Sequence, residues 1–267
     1  MIPPVDESEN RKLVRQAEIY DGQCSDMRYQ HTSVVYTDGE QLFSARTSLR
    51  LGETKECLSE LHGHPIPKER IYPKAEGENF TWMTEETSKS CYVKYPGVLD
   101  WEKEKDSTSD PWKDLLLREA RFGEILGRSP HPNVATYLGC VRDDRWILGV
   151  CFAKCKKNLW DRIIVDKDTS LARPDLLEAV LAGIRNGIEH IHSLGYCHND
   201  VNATNIMFDD NNTPIIIDFE TCCPEGEELT LKRGMVGWYD ESSKHSCRKN
   251  DYYGLQKIEE FINKKRN

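Results

Sequence analysis

The sequence of 267 residues lacks several features that would assign it at once to a class of protein. No apolar run approaches the roughly 18 residues that span a bilayer, so we expect no membrane-spanning helix and no membrane partner. The first ten residues carry neither a basic stretch nor an apolar stretch, which argues against a secretory signal. Internal repeats and low-complexity segments are also missing. These absences lead us to expect a folded, cytoplasmic protein.

An excess of basic residues is missing too. Lys and Arg number 36 against 45 Asp and Glu, which gives a formal net charge of −9. This acidic balance argues against a broad nucleic-acid-binding surface. Ten cysteines are present but no C-x-x-C pair, so the spacing indicates neither a zinc site nor a disulfide framework. We therefore expect reduced thiols.

The N-terminal part of the chain is polar and shows two local patterns. One short helix is predicted around Arg11–Tyr20. Residues 32–37 and 41–45 alternate around an Asp-Gly turn, which predicts a β-hairpin. Residues 61–67 contain Gly and Pro, and we expect them to break regular structure. Residues 101–109 are predicted to form a charged loop.

Three longer helices are predicted in the remainder. The first begins at Pro111, runs to about Leu126 and carries Glu119 within its apolar stripe. A carboxylate on an apolar face needs a partner. The second covers residues 175–194, where apolar residues repeat at helical spacing, and the last begins near Asp251. Strands are predicted at 91–95, 135–141 and 145–152.

The most informative pattern surrounds a second predicted hairpin, formed by residues 206–208 and 215–217. Asp200 and Asn205 flank a tight loop before its first strand, and Asp218 follows its second strand. The hairpin therefore brings two carboxylates and an amide to one edge. Phosphoryl transfer needs such a set, because it requires a group that orients the nucleophile and oxygen ligands for Mg²⁺.

These motifs resemble the protein-kinase superfamily. His198-Asn-Asp200 with Asn205 resembles its catalytic loop, and Asp218-Phe-Glu220 resembles its metal-binding D-F-G. The resemblance covers about Tyr72 to Phe261. It implies an α+β, bilobal protein-kinase-like fold with a β-rich N-lobe and a truncated, mainly helical C-lobe.

The resemblance also implies roles for individual residues. Asp200 is then the catalytic base, while Asn205 and Asp218 are metal ligands. Lys94 looks like the strand lysine that holds the nucleotide phosphates, and Glu119 looks like its helix partner. Val150 stands at the gatekeeper place before a hinge at residues 151–153, so the resemblance places nucleotide contacts at Cys151 and Ala153. The implied cofactors are ATP and Mg²⁺ or Mn²⁺.

Several positions depart from the family pattern. The expected phosphate-covering loop, G-x-G-x-x-G, is reduced to Gly77 in the window 72–77. Such glycines let backbone N–H groups approach phosphates, so their loss weakens or alters nucleotide binding. Asn199 replaces the catalytic-loop arginine that usually pairs with a phosphorylated loop, and Asn202 replaces a lysine. Glu220 replaces the last glycine of D-F-G and adds a third candidate metal ligand.

Two narrower resemblances point in different directions. The segments 91–94, 131–140, 215–220 and 234–238 resemble a group of fungal kinase-like proteins of unassigned function. His-Asn-Asp together with Ile-Asp-Phe-Glu also resembles choline/ethanolamine kinases and, more loosely, aminoglycoside phosphotransferases. Those enzymes phosphorylate small hydroxyl compounds.

The predicted domain division follows the resemblance. Residues 1–66 form an extension, which we expect to add strands to the N-lobe. Residues 67–153 form the N-lobe and hinge, and residues 154–267 form a minimal C-lobe. The helix near Asp251 is the last one, and no A-P-E triplet stands near Trp238. Both features favour a small molecule or a docked protein as acceptor over a linear peptide.

Three functions remain open from the sequence. The first is an atypical ATP/Mg²⁺-dependent phosphotransferase. The second is a pseudokinase, a binding or scaffold module that holds nucleotide without transferring phosphate. The third is a kinase fold recruited to other transfer chemistry in a fungal biosynthetic pathway, such as an aminoacyl-tRNA-dependent cyclodipeptide synthase. Only this third hypothesis requires a nucleic-acid partner.

Overall fold

We describe the chain from a computed structural model, which defines residues 11–21, 26–104, 109–230, 234–235, 237–240 and 242–264. The strands are β1 (Lys12–Asp21), β2 (Arg28–Thr37), β3 (Leu42–Thr47), β4 (His64–Ile66), β5 (Tyr92–Lys94), β6 (Tyr137–Arg142), β7 (Ile147–Phe152), β8 (Lys157–Asn158), β9 (Tyr196–Cys197), β10 (Ile206–Phe208), β11 (Pro214–Ile216) and β12 (Cys223–Pro224). The helices are α1 (Leu51–Thr54), α2 (Lys68–Ile71), α3 (Glu85–Ser88), α4 (Trp101–Glu104), α5 (Pro111–Arg128), α6 (Leu159–Ile164), α7 (Pro174–Ser193) and α8 (Arg248–Lys264).

The chain separates into two compact units. The first comprises residues up to Pro73 together with Pro96–Lys113, and the second comprises Lys74–Tyr95 together with Asp114 onwards. The predicted division at residues 66 and 153 stays a prediction.

An antiparallel sheet in the order β1-β2-β3-β4 organises the first unit. The predicted hairpin is confirmed, since β2 and β3 pair from Thr32 opposite Thr47 to Thr37 opposite Leu42. Apolar residues of β2 and β3 pack against the turn that follows α1. The resulting core contains Val34, Tyr36, Ala45, Leu58 and Leu61.

Three local predictions for this unit are wrong. The segment Arg11–Tyr20 is not a helix, because residues from Lys12 onwards form β1 and pair with β2. The long buried strand β2 offers a row of backbone donors and acceptors, and satisfying them outweighs weak local helix propensity. The region 61–67 includes β4, and α4 begins the predicted charged loop; residues 105–108 lie outside the described chain.

The second unit follows the predicted element order. Strands β5, β7 and β6 form a sheet in that order, and β11, β10 and β8 form another. Helix α7 confirms the predicted helix at 175–194, although α8 begins three residues before the predicted start. The buried face of α7 includes Ile184, Ile188 and Ile191. Its glycines let neighbouring backbone approach closely, since a Cβ on Gly187 would lie 2.7 Å from the Asn133 carbonyl oxygen.

Two expectations from the sequence, one about the cysteines and one about membrane-spanning helices, can be compared with this fold. The nine cysteines in the described ranges are all free thiols, as the spacing predicted. None of the described helices is both long and apolar enough to cross a membrane.

Helix α8 packs directly on the loop that contains Asp200. A Cβ on Gly254 would lie 2.1 Å from the carbonyl oxygen of Val201, a distance at which backbone must move. We therefore expect Gly254→Ala to lower the free energy of unfolding by about 1–3 kcal/mol, the usual cost of overpacking. Denaturant unfolding measures this loss, and Gln256→Ala on the exposed face of α8 is the matched control. Equal stability of the two variants would contradict the close packing.

Candidate active site

Lys94 is placed at the end of β5 by pairing with β7. Lys94 lies opposite Val150, and Val93 lies opposite Cys151. The two strands approach closely where β7 has a glycine, since a Cβ on Gly149 would lie 2.6 Å from the carbonyl oxygen of Lys94. The sheet therefore fixes the backbone from which the lysine side chain extends.

The ammonium group of Lys94 contacts three carboxylates. Its Nζ lies 2.9 Å from Glu119 Oε2, 2.7 Å from Asp218 Oδ1 and 3.0 Å from Glu220 Oε1. Glu119 comes from α5, where its side chain is only 1% exposed. The carboxylate predicted to need a partner on an apolar helix face thus has one.

Burial and charge act in opposite directions on the pKa values of this cluster. Burial by itself lowers the pKa of Lys94, but the charges of Glu119, Asp218 and Glu220 outweigh it and raise that pKa above its usual value. Burial also raises the pKa of Glu119, against the opposing effect of the Lys94 charge. With all four groups ionised, one cation faces three anions. The cluster therefore carries an excess of negative charge in a partly buried place.

Asp218 is held by the residue that follows it. Phe219 is fully buried, and its ring lies 5.4 Å from the Phe122 ring and 5.8 Å from the Phe152 ring, centroid to centroid. The Phe219 N–H donates to Glu119 Oε1 at 3.0 Å. Asp218 itself has a φ of 67°, a left-handed conformation that packing must enforce in a residue with a Cβ.

A buried aspartate of α8 anchors the loop that carries Asp200. Asp251 Oδ1 accepts the Asn199 N–H at 2.7 Å, and its Oδ2 accepts the His198 N–H at 2.9 Å. His192 Nε2 lies 2.8 Å from the same Oδ2. The His198 ring in turn reaches the Ile217 carbonyl oxygen at 3.0 Å, next to Asp218. One carboxylate thus fixes the loop relative to the hairpin.

Asp200 and Asn205 face one another within this loop. Asn205 Nδ2 donates to the Asp200 carbonyl oxygen at 2.9 Å and to Asp200 Oδ2 at 3.0 Å. Asp200 Oδ1 accepts Asn202 Nδ2 at 2.8 Å and the Met235 N–H at 2.9 Å. Burial raises the pKa of Asp200, and the Met235 hydrogen bond opposes that rise. These bonds fix the orientation of the carboxylate and leave Asn205 Oδ1 as the amide's acceptor atom.

The predicted hinge residues occupy the end of β7 and the residue beyond it. Val150 and Cys151 are fully buried on β7. Ala153 follows the strand, and its N–H donates to the Thr136 carbonyl oxygen at 2.9 Å. The backbone donor of Ala153 is therefore engaged within the protein in this structure.

Gly77 is not brought together with the other candidate residues. The window 72–77 pairs with the residues that lead into β7, since Lys74 bridges Trp146 and the Ala75 N–H donates to the Arg145 carbonyl oxygen at 2.9 Å. Only the residues after Gly77 reach β6. Cys140 of β6 donates its N–H to the Thr81 carbonyl oxygen at 2.7 Å and accepts the Met83 N–H at 2.9 Å. In the described residues β5 pairs with β7 alone, so no glycine-bearing hairpin covers Lys94 from that segment.

Sequence reasoning assigned no role to two residues of this region. Asp251 was only the predicted start of a helix, although it shares the buried face of α8 with Leu255 and Ile258, and a carboxylate there signals a buried acceptor. Met235 acts through its backbone N–H, which no sequence pattern reveals. The residue before it is glycine because a Cβ on Gly234 would lie 2.9 Å from Asp200 Oδ1.

The donor set fits a divalent cation. Asp218, Glu220 and Asn205 offer carboxylate and amide oxygens, which are the ligands that Mg²⁺ and Mn²⁺ prefer. The excess negative charge around Lys94 is independent support, since a cation would offset it. Asn205 is oriented to use its oxygen, because its amide nitrogen is engaged by Asp200.

Comparison with known proteins agrees with this geometry. Residues 77–237 match the protein kinase domain. Serine/threonine-protein kinase Tao of Drosophila melanogaster is 31% identical over 122 residues, which cover 44% of this chain and 11% of that protein. Serine/threonine-protein kinase 16 of Mus musculus is 28% identical over 149 residues, 52% of this chain and 47% of that protein.

The human serine/threonine-protein kinase 16 is 33% identical over 114 residues, which cover 40% of this chain and 35% of that protein. The chain thus spans less than half the length of these relatives. The kinase match, by contrast, extends over more than half of the chain and includes Lys94, Glu119, Asp200, Asn205 and Asp218 themselves. The chain belongs to the protein kinase family.

Proposed function

We propose that this protein is an atypical phosphotransferase that uses ATP and a divalent cation. The observation that carries the proposal is the joint placement of Lys94 between Glu119 and Asp218, at 2.9 Å and 2.7 Å. A lysine that pairs only for stability needs one carboxylate. A lysine shared between a helix carboxylate and a candidate metal ligand is positioned to hold phosphate oxygens beside a cation.

Each residue has a distinct task in this proposal. Lys94 binds the nucleotide phosphates, and Glu119 keeps the ammonium group in place. Asp200 would orient the acceptor hydroxyl through Oδ2 and accept its proton as the new phosphorus–oxygen bond forms and the bond between the γ-phosphorus and ADP breaks. Asn202 and the Met235 N–H hold the other oxygen, so the carboxylate cannot turn away from the acceptor.

The metal would be held by Asp218 and Asn205, with Glu220 as a third ligand. When bound, the cation supplies charge neutralisation for the phosphate oxygens. Glu220 Oε1 contacts Lys94 Nζ at 3.0 Å, so one carboxylate would serve both the lysine and the cation. Glu220 therefore gives the site an anion that is paired with lysine before the cation binds.

The acceptor is proposed to be a hydroxyl of a small molecule or of a docked protein. The relatives named serine/threonine-protein kinases support a protein hydroxyl. The acidic balance of the chain, −9 overall, suits a cationic acceptor. A transfer assay should therefore include basic proteins, basic peptides and amino alcohols.

A second candidate function is a pseudokinase that binds partners without transferring phosphate. The observation that favours it is that the window with Gly77 pairs at the start of β7 and forms no strand pairing with β5 among the described residues. The engaged N–H of Ala153 also favours it, since that donor is not free to bind an adenine ring. These two observations favour a pseudokinase that binds nucleotide weakly or not at all, so the two candidates differ in whether nucleotide raises the Tm.

Thermal unfolding with nucleotide and metal tests the first candidate. A ligand that binds only the native state stabilises it by about 2.7 kcal/mol at a hundredfold excess over its Kd. For a unit of this size we expect the Tm to rise by about 5–10 °C with ATP and Mg²⁺ or Mn²⁺. We expect Asp218→Asn to abolish the rise, because it removes a ligand charge.

The control is Asp210→Asn, which removes a carboxylate that is 86% exposed and far along the hairpin from Asp218. It should leave the metal-dependent rise unchanged. A wild-type protein whose Tm does not respond to ATP with either metal would overturn the proposed function and support the pseudokinase.

A further inference from the structure

The segment after Glu220 is hydrogen-bonded to neighbouring parts of the chain along its described length. We call residues 221–235 the connecting segment, of which 221–230 and 234–235 are described. Strand β12 pairs with β9, next to the Asp200 loop. Further along, Gly226 donates its N–H to the Ser246 carbonyl oxygen at 2.7 Å, and the Ser246 N–H donates to Glu227 at 2.7 Å. The segment thus has a defined path without any added group.

Asn199 holds the start of the connecting segment through hydrogen bonds between uncharged groups. Its side chain is buried, and Nδ2 donates to the Cys197 and Thr221 carbonyl oxygens at 2.9 Å and 3.3 Å. Nδ2 also reaches Ser246 Oγ at 3.0 Å, while Oδ1 accepts Asn250 Nδ2 at 3.0 Å. An amide saturated in this way offers no charge to a phosphate.

An ion pair links helix α5 to the middle of the connecting segment. Arg118 lies next to Glu119 on α5, and its Nη2 contacts Glu227 Oε1 at 2.9 Å. The Arg118 side chain is 21% exposed, so the pair is only partly in solvent. Because Arg118 and Glu119 share one turn of helix, the position of the connecting segment and the position of Glu119 against Lys94 are mechanically linked.

We propose that Arg118 and Glu227 are a positioning pair. The carboxylate of Glu227, which belongs to the sequence and needs no added phosphate, holds α5 and the connecting segment in the arrangement that pairs Glu119 with Lys94. The inference rests on the proposed function and adds its mode of regulation. The site is assembled as soon as the chain folds, and phosphorylation of the connecting segment is not needed to assemble it.

The hydroxyl groups of the segment agree with this inference. Its sequence contains two, those of Thr221 and Thr230. Thr221 is buried and donates its hydroxyl to the His198 carbonyl oxygen at 2.8 Å, so it is inaccessible to a modifying enzyme. Thr230 is exposed. However, Arg118, the charged residue of α5 that contacts this segment, is already paired with Glu227.

Charge neutralisation of either partner tests the pair. We expect Arg118→Gln and Glu227→Gln each to speed amide hydrogen exchange in residues 221–230 and to raise the KM for ATP about threefold, with a smaller change in kcat. Exchanging the charges, Arg118→Glu with Glu227→Arg, should restore both quantities. A merely structural role of either side chain would not produce that rescue.

Arg121→Gln is the matched control. Arg121 lies on the same helix one turn further on, and it pairs with Glu78 at 2.7 Å, away from the connecting segment. This variant should behave as the wild type. Unchanged exchange in both single variants, or an equal change in Arg121→Gln, would overturn the inference.

Two further outcomes separate the inference from the function on which it rests. Hydrogen exchange is measured without nucleotide, so it reports on the pair even if the wild type fails to bind ATP, a failure that would count against the proposed function. Phosphatase treatment of the active wild type should leave its turnover unchanged. Loss of turnover after that treatment would overturn the inference while leaving the proposed function intact.

Discussion

Asp200→Ala is expected to reduce phosphoryl transfer about 10²–10⁴-fold while nucleotide binding persists, the effect typical of losing a general base. The Asp200 carboxylate is oriented by three donors: Asn202 and Asn205 of its own loop and the Met235 N–H. None of the contacts of Lys94 includes Asp200. Removing Asp200 therefore leaves the phosphate-binding cluster in place.

The measurement compares turnover with the nucleotide-dependent rise in Tm. Asp200→Asn serves as the second variant, because its amide oxygen can still accept the Met235 N–H but cannot accept a proton. We expect it to keep the Tm of the wild type and to lose turnover. Full turnover of a folded Asp200→Asn protein would contradict the assignment.

Lys94→Met is expected to lower the free energy of unfolding by about 3–5 kcal/mol in metal-free buffer, the usual cost of leaving a buried charge unpaired. Methionine keeps most of the volume of the side chain but removes the only cation in contact with Glu119 among the hydrogen bonds and ion pairs of the described chain. The loss should also depend on pH. Burial raises the pKa of Glu119, and without Lys94 the rise loses the positive charge that opposes it.

The direction in which the stability loss changes with pH follows from the raised pKa of Glu119. A carboxyl whose pKa is higher in the folded than in the unfolded protein destabilises the fold once pH exceeds the unfolded value, because folding then requires a proton to be taken up or an ion to be buried. The loss in Lys94→Met should therefore grow from pH 5 towards pH 8. Urea unfolding at several pH values measures it.

Two variants control this experiment. Lys94→Met with Glu119→Leu removes both partners and should recover part of the stability, since an apolar pair replaces an orphaned charge. Lys154→Met removes a lysine from an exposed position after β7 and should have little effect. If Lys94→Met were as stable as the wild type at pH 8, the ion pair would not hold Glu119 in place.

The motif spacing made much of the site predictable. Asp200, Asn205 and Asp218 are joined by a loop and a tight hairpin, so their proximity follows from local chain geometry, and β10 pairs with β11 as expected. Glu119 was recognisable because a carboxylate stood in an apolar helical stripe. Its partner Lys94 lies 25 residues away, and only the family resemblance connected the two.

The wrong helix prediction for residues 11–20 and the unexpected pairing of the window with Gly77 both depend on distant strands. The segment Lys12–Asp21 has no strong period, so its structure depends on β2, which supplies the backbone partners. The window with Gly77 was chosen because it precedes β5 in sequence. Its bridge partner, however, is Trp146, beside the start of β7 and more than 50 residues after β5. Neither partner can be identified from the local sequence.

By itself, the sequence determined the order of the main helices and strands in the second unit, the membership of the kinase family and the set of acidic and amide residues near one hairpin. Short-range periodicity and spacing predict those features because residues that are close in sequence must also lie close together in the fold. Only the tertiary structure decided that Asp251 anchors the Asp200 loop, that Met235 orients Asp200 through its backbone, and that Arg118 pairs with Glu227 across 109 residues. Such contacts depend on how distant segments pack, and backbone groups carry many of them, so no pattern of side chains encodes them locally.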